Sequence, residues 1–182
     1  MNHKNLASAV KYIAWGYLFF YIDINLGSLD ILPDWVCFVL VVKALPLLAE
    51  AVPSAKLLHS LGTLLGVYYV FDWLLTAIGH PIQWYLLIVV IAVLALYFNF
   101  QLLTNLAEAA RLGGYPQEKK ILHLRTVQAV LTTVAALPIP WDEYSILGTG
   151  LAMVHLIVAA WICVVLFGLR KEAESEATET EE

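Results

Sequence analysis

Three ionisable side chains interrupt stretches that are otherwise almost wholly apolar: Lys43 in VCFVLVVKALPLLA, Asp72 in GVYYVFDWLLTA and His155 in GTGLAMVHLIVAA. A charge held at the middle of a bilayer costs about 2.5–3.5 kcal/mol on insertion scales, so each asks for a partner or a purpose. Lys43 lies nine residues past Asp34, roughly 13 Å deep at helical rise, Asp72 roughly 9 Å and His155 roughly 15 Å. The simplest arrangement is a Lys43–Asp72 ion pair across consecutive antiparallel helices, with Asp23 as reserve partner. Such a pair reads in two ways. It is a tie that fixes helix neighbours, or it is the charged part of a polar pocket for a solute or a proton path, with His155 titrating beside it. Snorkelling of Lys43 to an interface is the third reading.

A second polar layer lies towards the opposite ends of the spans: Glu50, His59, Asn99, Gln101, Asn105, His123, Arg125 and Gln128. Arg125, Gln128 and Thr132 follow i, i+3 and i+7, one stripe that should face the bundle interior or a wet vestibule. Hydrogen bonds between helices explain the others, at about 0.6 kcal/mol each. Small residues mark packing seams. Gly62 and Gly66 form a GxxxG, and Gly148, Ala152, His155, Ala159 and Cys163 share a stripe.

The elements that carry these groups follow from composition. The chain has 182 residues, 61% hydrophobic and 14% charged, with mean hydropathy +0.78, against about 45–50% and 25% for an ordinary soluble domain. The excess must face something as apolar as lipid, so the class is an all-α polytopic membrane protein. Six spans of roughly 20 residues fit: 6–24, 34–52, 57–78, 82–106, 121–137 and 145–169. The connections 25–33, 79–81 and 138–144 carry no basic residue, and nine of the ten lie at or near the other ends, the exception being Lys43. Lys and Arg mark cytoplasmic ends, so the chain crosses an even number of times with both termini inside. Trp35, Trp73, Trp84, Trp141 and Tyr144 fall at the inferred outer ends, and Pro33, Pro81 and Pro140 mark helix starts. No small-x-small cleavage site follows the first apolar stretch, which is read as a span and not as a signal peptide.

Pro46 should kink the second span. Gly113-Gly114-Tyr115-Pro116 stops the fourth, whose cytoplasmic extension reaches Leu112. Leu48-Ala49-Glu50-Ala51 followed by Lys56-Leu57-Leu58-His59 recurs as Leu106-Ala107-Glu108-Ala109 followed by Lys120-Ile121-Leu122-His123, which suggests a duplicated hairpin running in parallel. The domain is thus 1–171, followed at 172–182 by a Glu-rich tail expected to be disordered.

The chemistry this excludes is broad. There is no HExxH, GxSxG, P-loop, EF-hand loop or CxxC, so neither enzyme nor cofactor nor metal site is expected. Two cysteines give no disulfide framework. The body is near neutral, because six of the fifteen acids lie in the last eleven residues, and no basic face suits nucleic acid.

The first outer connection, Asp23-Ile24-Asn25-Leu26-Gly27 and then Asp30-Ile31-Leu32-Pro33-Asp34-Trp35-Val36, resembles a motif of uncharacterised small multi-pass bacterial membrane proteins: an Asp-rich turn, Leu-Pro-Asp, an aromatic, Ile or Val, then Gly. Cys37 stands at the Gly position. The resemblance implies a bacterial plasma membrane and brings no activity with it. Physically the motif is a re-entry device, with Asp30 or Ser28 capping, Asp34 complementing the helix dipole and Trp35 anchoring, in preference to a metal role for Asp23, Asp30 and Asp34. The reading is a non-enzymatic six-helix bundle in the lipid bilayer that binds or passes a small solute or ion. The contrasting reading is an accessory or assembly subunit whose acidic tail or Gly62/Gly66 seam binds a protein partner, with homo-oligomerisation left open.

Overall fold

The computed structural model describes residues 2–21, 25–26, 29–30, 33–137, 139 and 145–179. Six helices account for nearly all of them: α1 (His3–Tyr21), α2 (Trp35–Ala51), α3 (Leu57–Ala77), α4 (Tyr85–Leu112), α5 (Gln117–Ala135) and α6 (Ser145–Glu179). Between α1 and α2 lies a minimal antiparallel ladder, β1 (Asn25–Leu26) and β2 (Leu29–Asp30), with Asn25 opposite Asp30. A 3₁₀ turn, Pro53–Lys56, leads directly into α3.

Two turns show how local sequence dictates the chain reversals. After α3, Gly79 adopts φ +80°, His80 N–H donates to Leu75 O at 2.8 Å, and Gly79 N–H donates to Thr76 O at 3.0 Å. After α4, Gly114 adopts φ +74°, with Tyr115 N–H on Ala110 O at 2.8 Å and Gly114 N–H on Arg111 O at 3.1 Å. Both are Schellman caps, which need a left-handed residue that glycine adopts without a Cβ penalty.

Each helix packs on its neighbour in sequence, and α1 closes the ring by packing on α6 as well as α2. The core runs along α1 (Leu6, Val10, Ile13), α2 (Val41, Leu45, Leu48), α4 (Leu102, Leu106) and α6 (Ile162, Leu166). By contrast α3, α4 and α6 turn large apolar side chains outward, among them Phe71, Val93, Tyr97, Val154, Trp161 and Val164. Three helices are long and apolar enough to cross a membrane: the 3₁₀ turn with α3 (25 residues, mean hydropathy 1.2), α4 (28 residues, 2.5) and α6 (35 residues, 2.5). The other three fall short for visible reasons. Lys4 and Lys11 dilute α1, α2 has 17 residues, and α5 carries Glu118, Lys119, Lys120 and Arg125.

The acidic tail departs from expectation. Residues 172–179 continue α6 as helix, with Ala173 fully buried. Glu172 accepts from Gln117 Nε2 at 2.7 Å, and Glu176 accepts from the Tyr115 hydroxyl at 2.9 Å and lies 3.0 Å from His3 Nδ1. Glu and Ala are good helix formers, and these bonds anchor the segment to α1 and to the α4–α5 turn. The buried Tyr115 hydroxyl is held protonated well above its ordinary range, first by burial and then by its bond to Glu176.

Candidate functional site

The expected ion pair does not form. Phe38 stacks on Tyr69 at 5.0 Å and Trp35 meets Trp73 at 6.4 Å, a register that sets Lys43 opposite about residue 64 of α3. Asp72 then lies about eight residues, or about 12 Å, further along the axis. No ion pair joins Lys43 and Asp72 among the described residues. Lys43 is instead exposed, its Nζ 4.7 Å from the centre of the Tyr12 ring, a cation–π contact. Equal depth estimated from helix ends said nothing about axial register, and the aromatic stacking decided it. Lys43 and His59 line the groove between α2 and α3 with Gly62 and Gly66. Asp72 is half-buried. Asp23, with Ser28, Pro140, Trp141 and Tyr144, lies outside the described residues.

The polar centre of the bundle is built instead from the α5 stripe. Arg125, Gln128 and Thr132, spaced for one helix face, form one wall of a cavity of about 230 Å³. Tyr21 of α1, Tyr69 of α3, Asn99 and Phe100 of α4, and His155 of α6 complete it. Arg125 Nη1 donates to Thr104 Oγ1 at 3.0 Å, and its guanidinium lies 4.2 Å over the Phe100 ring. Gln128, only 5% exposed, donates through Nε2 to the Tyr21 hydroxyl at 2.7 Å. Asn99 accepts from the Tyr17 hydroxyl at 3.1 Å and donates to Ala95 O at 3.1 Å. Two buried polar atoms on this wall have no partner among the described residues, Arg125 Nε and Gln128 Oε1. A buried unpaired polar atom costs about 1–3 kcal/mol, a cost these two share with Trp35 Nε1, Asn105 Nδ2 and Gln117 Oε1 elsewhere in the chain.

His155 sits at the boundary between this cavity and a larger open groove of about 690 Å³ between the end of α5 and the start of α6. Its ring lies 5.9 Å from that of Tyr21, and both residues line both spaces. Gly148 and Ala152, expected in a packing seam, line this groove instead, alongside Ala135 where α5 ends. The same stripe does pack lower down, at Ala159 and Cys163, which are buried.

Asn105, Gln101 and Glu50 make hydrogen bonds within the chain. Asn105 is 2% exposed and accepts from Ser54 Oγ at 2.9 Å and Gln101 Nε2 at 3.3 Å. Glu50 accepts from Asn5 Nδ2 at 2.7 Å. Gly62 and Gly66 are packed within the chain, against Phe98 and Val42 and against Phe38. Sequence reasoning missed Tyr17 and Tyr21, although they stand four apart on α1 and so share a face. Neither a family model, nor a curated protein, nor a solved structure matches the chain.

Proposed function

We propose that this chain is a non-enzymatic, multi-pass protein of the bacterial plasma membrane, with six spans and both termini cytoplasmic, that binds a small polar solute in the Arg125–Gln128 cavity and passes it to or from the outer side. The cavity carries the reading: a partly open hollow lined by residues of five helices, apolar over most of its surface but bearing Arg125, Gln128, Asn99 and Tyr21, with two unpartnered buried polar atoms beside it. Ring closure supports six spans: α5, of about 28 Å at helical rise, lies between α4 and α6, and α1 and α2, of about 28 and 26 Å, lie side by side between α6 and α3, with α3, α4 and α6 each long enough to cross. The absence of basic residues from the α1–α2, α3–α4 and α5–α6 connections supports the orientation. In that orientation the groove beside His155 opens to the outer half and is the access path.

The accessory-subunit reading would use the acidic tail or the Gly62/Gly66 seam, and both are engaged inside the chain through Gln117, Tyr115, Phe98 and Phe38. The deciding experiment is cysteine accessibility. Thr132→Cys should react from outside intact cells with a small charged thiol reagent, against a low background from the buried Cys37 and Cys163. A tag before His3 should be shielded from the same side. An unreactive residue 132 would remove the water-accessible cavity, and an exposed amino terminus would overturn the orientation.

A further inference from the structure

We infer that the solute of the Arg125–Gln128 cavity is a small free carboxylate bearing a hydroxyl or comparable hydrogen-bonding group, with Arg125 as its counter-charge. This rests on the solute-binding reading and narrows it to one chemical class.

Charge carries the argument. Among the described residues that line the cavity there is a guanidinium and no carboxylate. Arg125 makes no ion pair among the described residues, whereas Arg111 and Arg170 pair with Glu108 and Glu174. A guanidinium is never neutral in proteins, so its charge cannot be relieved by losing a proton. One of its five donors is spent on Thr104, and one face is covered by Phe100. Its Nε is buried and unpaired. A planar donor fork that is held in place, partly desolvated and without an internal anion is the arrangement that recognises a carboxylate in bidentate fashion.

Gln128, one turn along from Arg125, supplies the second recognition element. Its single hydrogen bond goes to the Tyr21 hydroxyl, which can donate as well as accept. Whichever way the amide is turned, one polar end stays unsatisfied, and a hydroxyl on the ligand can serve either end. The volume of about 230 Å³ suits a small solute. An amino acid is disfavoured, because its ammonium would find no carboxylate on the described wall.

The test uses the full chain in phosphatidylcholine nanodiscs, with radiolabelled lactate as probe and unlabelled lactate, lactamide and alanine as competitors. Saturable lactate binding is expected, with lactamide and alanine each competing at least tenfold more weakly. Arg125→Gln should weaken lactate binding tenfold or more, and Arg125→Lys less, since it keeps the charge and loses the fork. Gln128→Glu separates a ligand role from a folding role: the new carboxylate sits beside Arg125, so lactate binding should fall at least tenfold while the melting temperature rises. Lactamide competing as well as lactate would sink the carboxylate and leave the solute reading standing. Failure of all three to bind would sink both. Should anionic phosphatidylglycerol raise the melting temperature in an Arg125-dependent way while lactate does not bind, the site belongs to a lipid headgroup and the inference is overturned.

Discussion

Replacing Gly62 by alanine tests whether α3 is seated as tightly as the structure shows. A Cβ at Gly62 would lie 3.0 Å from Phe98 Cε2 and 3.1 Å from Val42 Cγ2, both closer than ordinary van der Waals contact. Phe98 has little room to yield, being 2% exposed with Phe38 at 5.8 Å on another side. The void beside it, about 10 Å³, is at most the size of a single water site, about 10–15 Å³ on the same measure. Overpacking of this kind costs about 1–3 kcal/mol, against a helix-propensity gain of about 1 kcal/mol on leaving glycine. Gly150 is the internal control, because it is also helical and a Cβ there meets nothing within 4 Å. Gly150→Ala should therefore stabilise by up to about 1 kcal/mol, while Gly62→Ala should destabilise by about 0–2 kcal/mol. The propensity gain cancels in the difference, which leaves about 1–3 kcal/mol of packing. Equilibrium unfolding in mixed micelles, followed by far-ultraviolet circular dichroism, measures both variants. Equal shifts would refute the close approach of α3 to α2 and α4.

Three further outcomes follow from the same structure. A double-mutant cycle of Lys43→Met and Asp72→Leu should give a coupling energy within about 0.5 kcal/mol of zero, because the residues are not partners; a larger value in unfolding titrations would restore the ion pair. Removing residues 172–182 should lower stability by at least about 1 kcal/mol, since Gln117 and Tyr115 lose charged acceptors, and a silent truncation would show the helical extension to be unanchored. The raised Tyr115 hydroxyl keeps its proton in the folded state where the unfolded chain has lost it. Its contribution is therefore complete below about pH 10 and declines at up to about 1.4 kcal/mol per unit as pH rises beyond, a slope that Tyr115→Phe should remove when unfolding is compared at pH 9 and 11.

The reversal after α4 was the most legible part of the fold, because Gly114 and Pro116 act locally, whereas Pro81, expected to mark a helix start, lies four residues before α4 begins at Tyr85. Hydropathy located every helix but set some ends wrongly. It began α5 at Ile121 and ended α6 at Leu169, whereas Gln117 to Lys120 and Arg170 to Glu179 are helical. Those segments are polar yet made largely of Gln, Glu, Lys, Ala and Arg, which favour helix whatever their solvent. Hydropathy reports where a helix meets lipid and not where it stops.

The site divides along the same physical line. The α5 stripe could be read because Arg125, Gln128 and Thr132 stand out against a helix of mixed polarity, so their spacing fixes an azimuth. Helix α2 offers no such reference. It is apolar on nearly all sides, and depth arithmetic from its ends gives the height of Lys43 without the direction it faces. That direction is set by Phe38 and Val41, which are buried while Val39 and Lys43 are exposed. Their burial is fixed by the stacking of Phe38 on Tyr69 and by the approach of Gly66 to Phe38, both contacts between separate elements. A lone charge on an all-apolar helix therefore needs the neighbouring helix to orient it. A charge within a polar stripe carries its orientation with it, and for that reason the direction of Arg125, and not that of Lys43, could be read from the sequence.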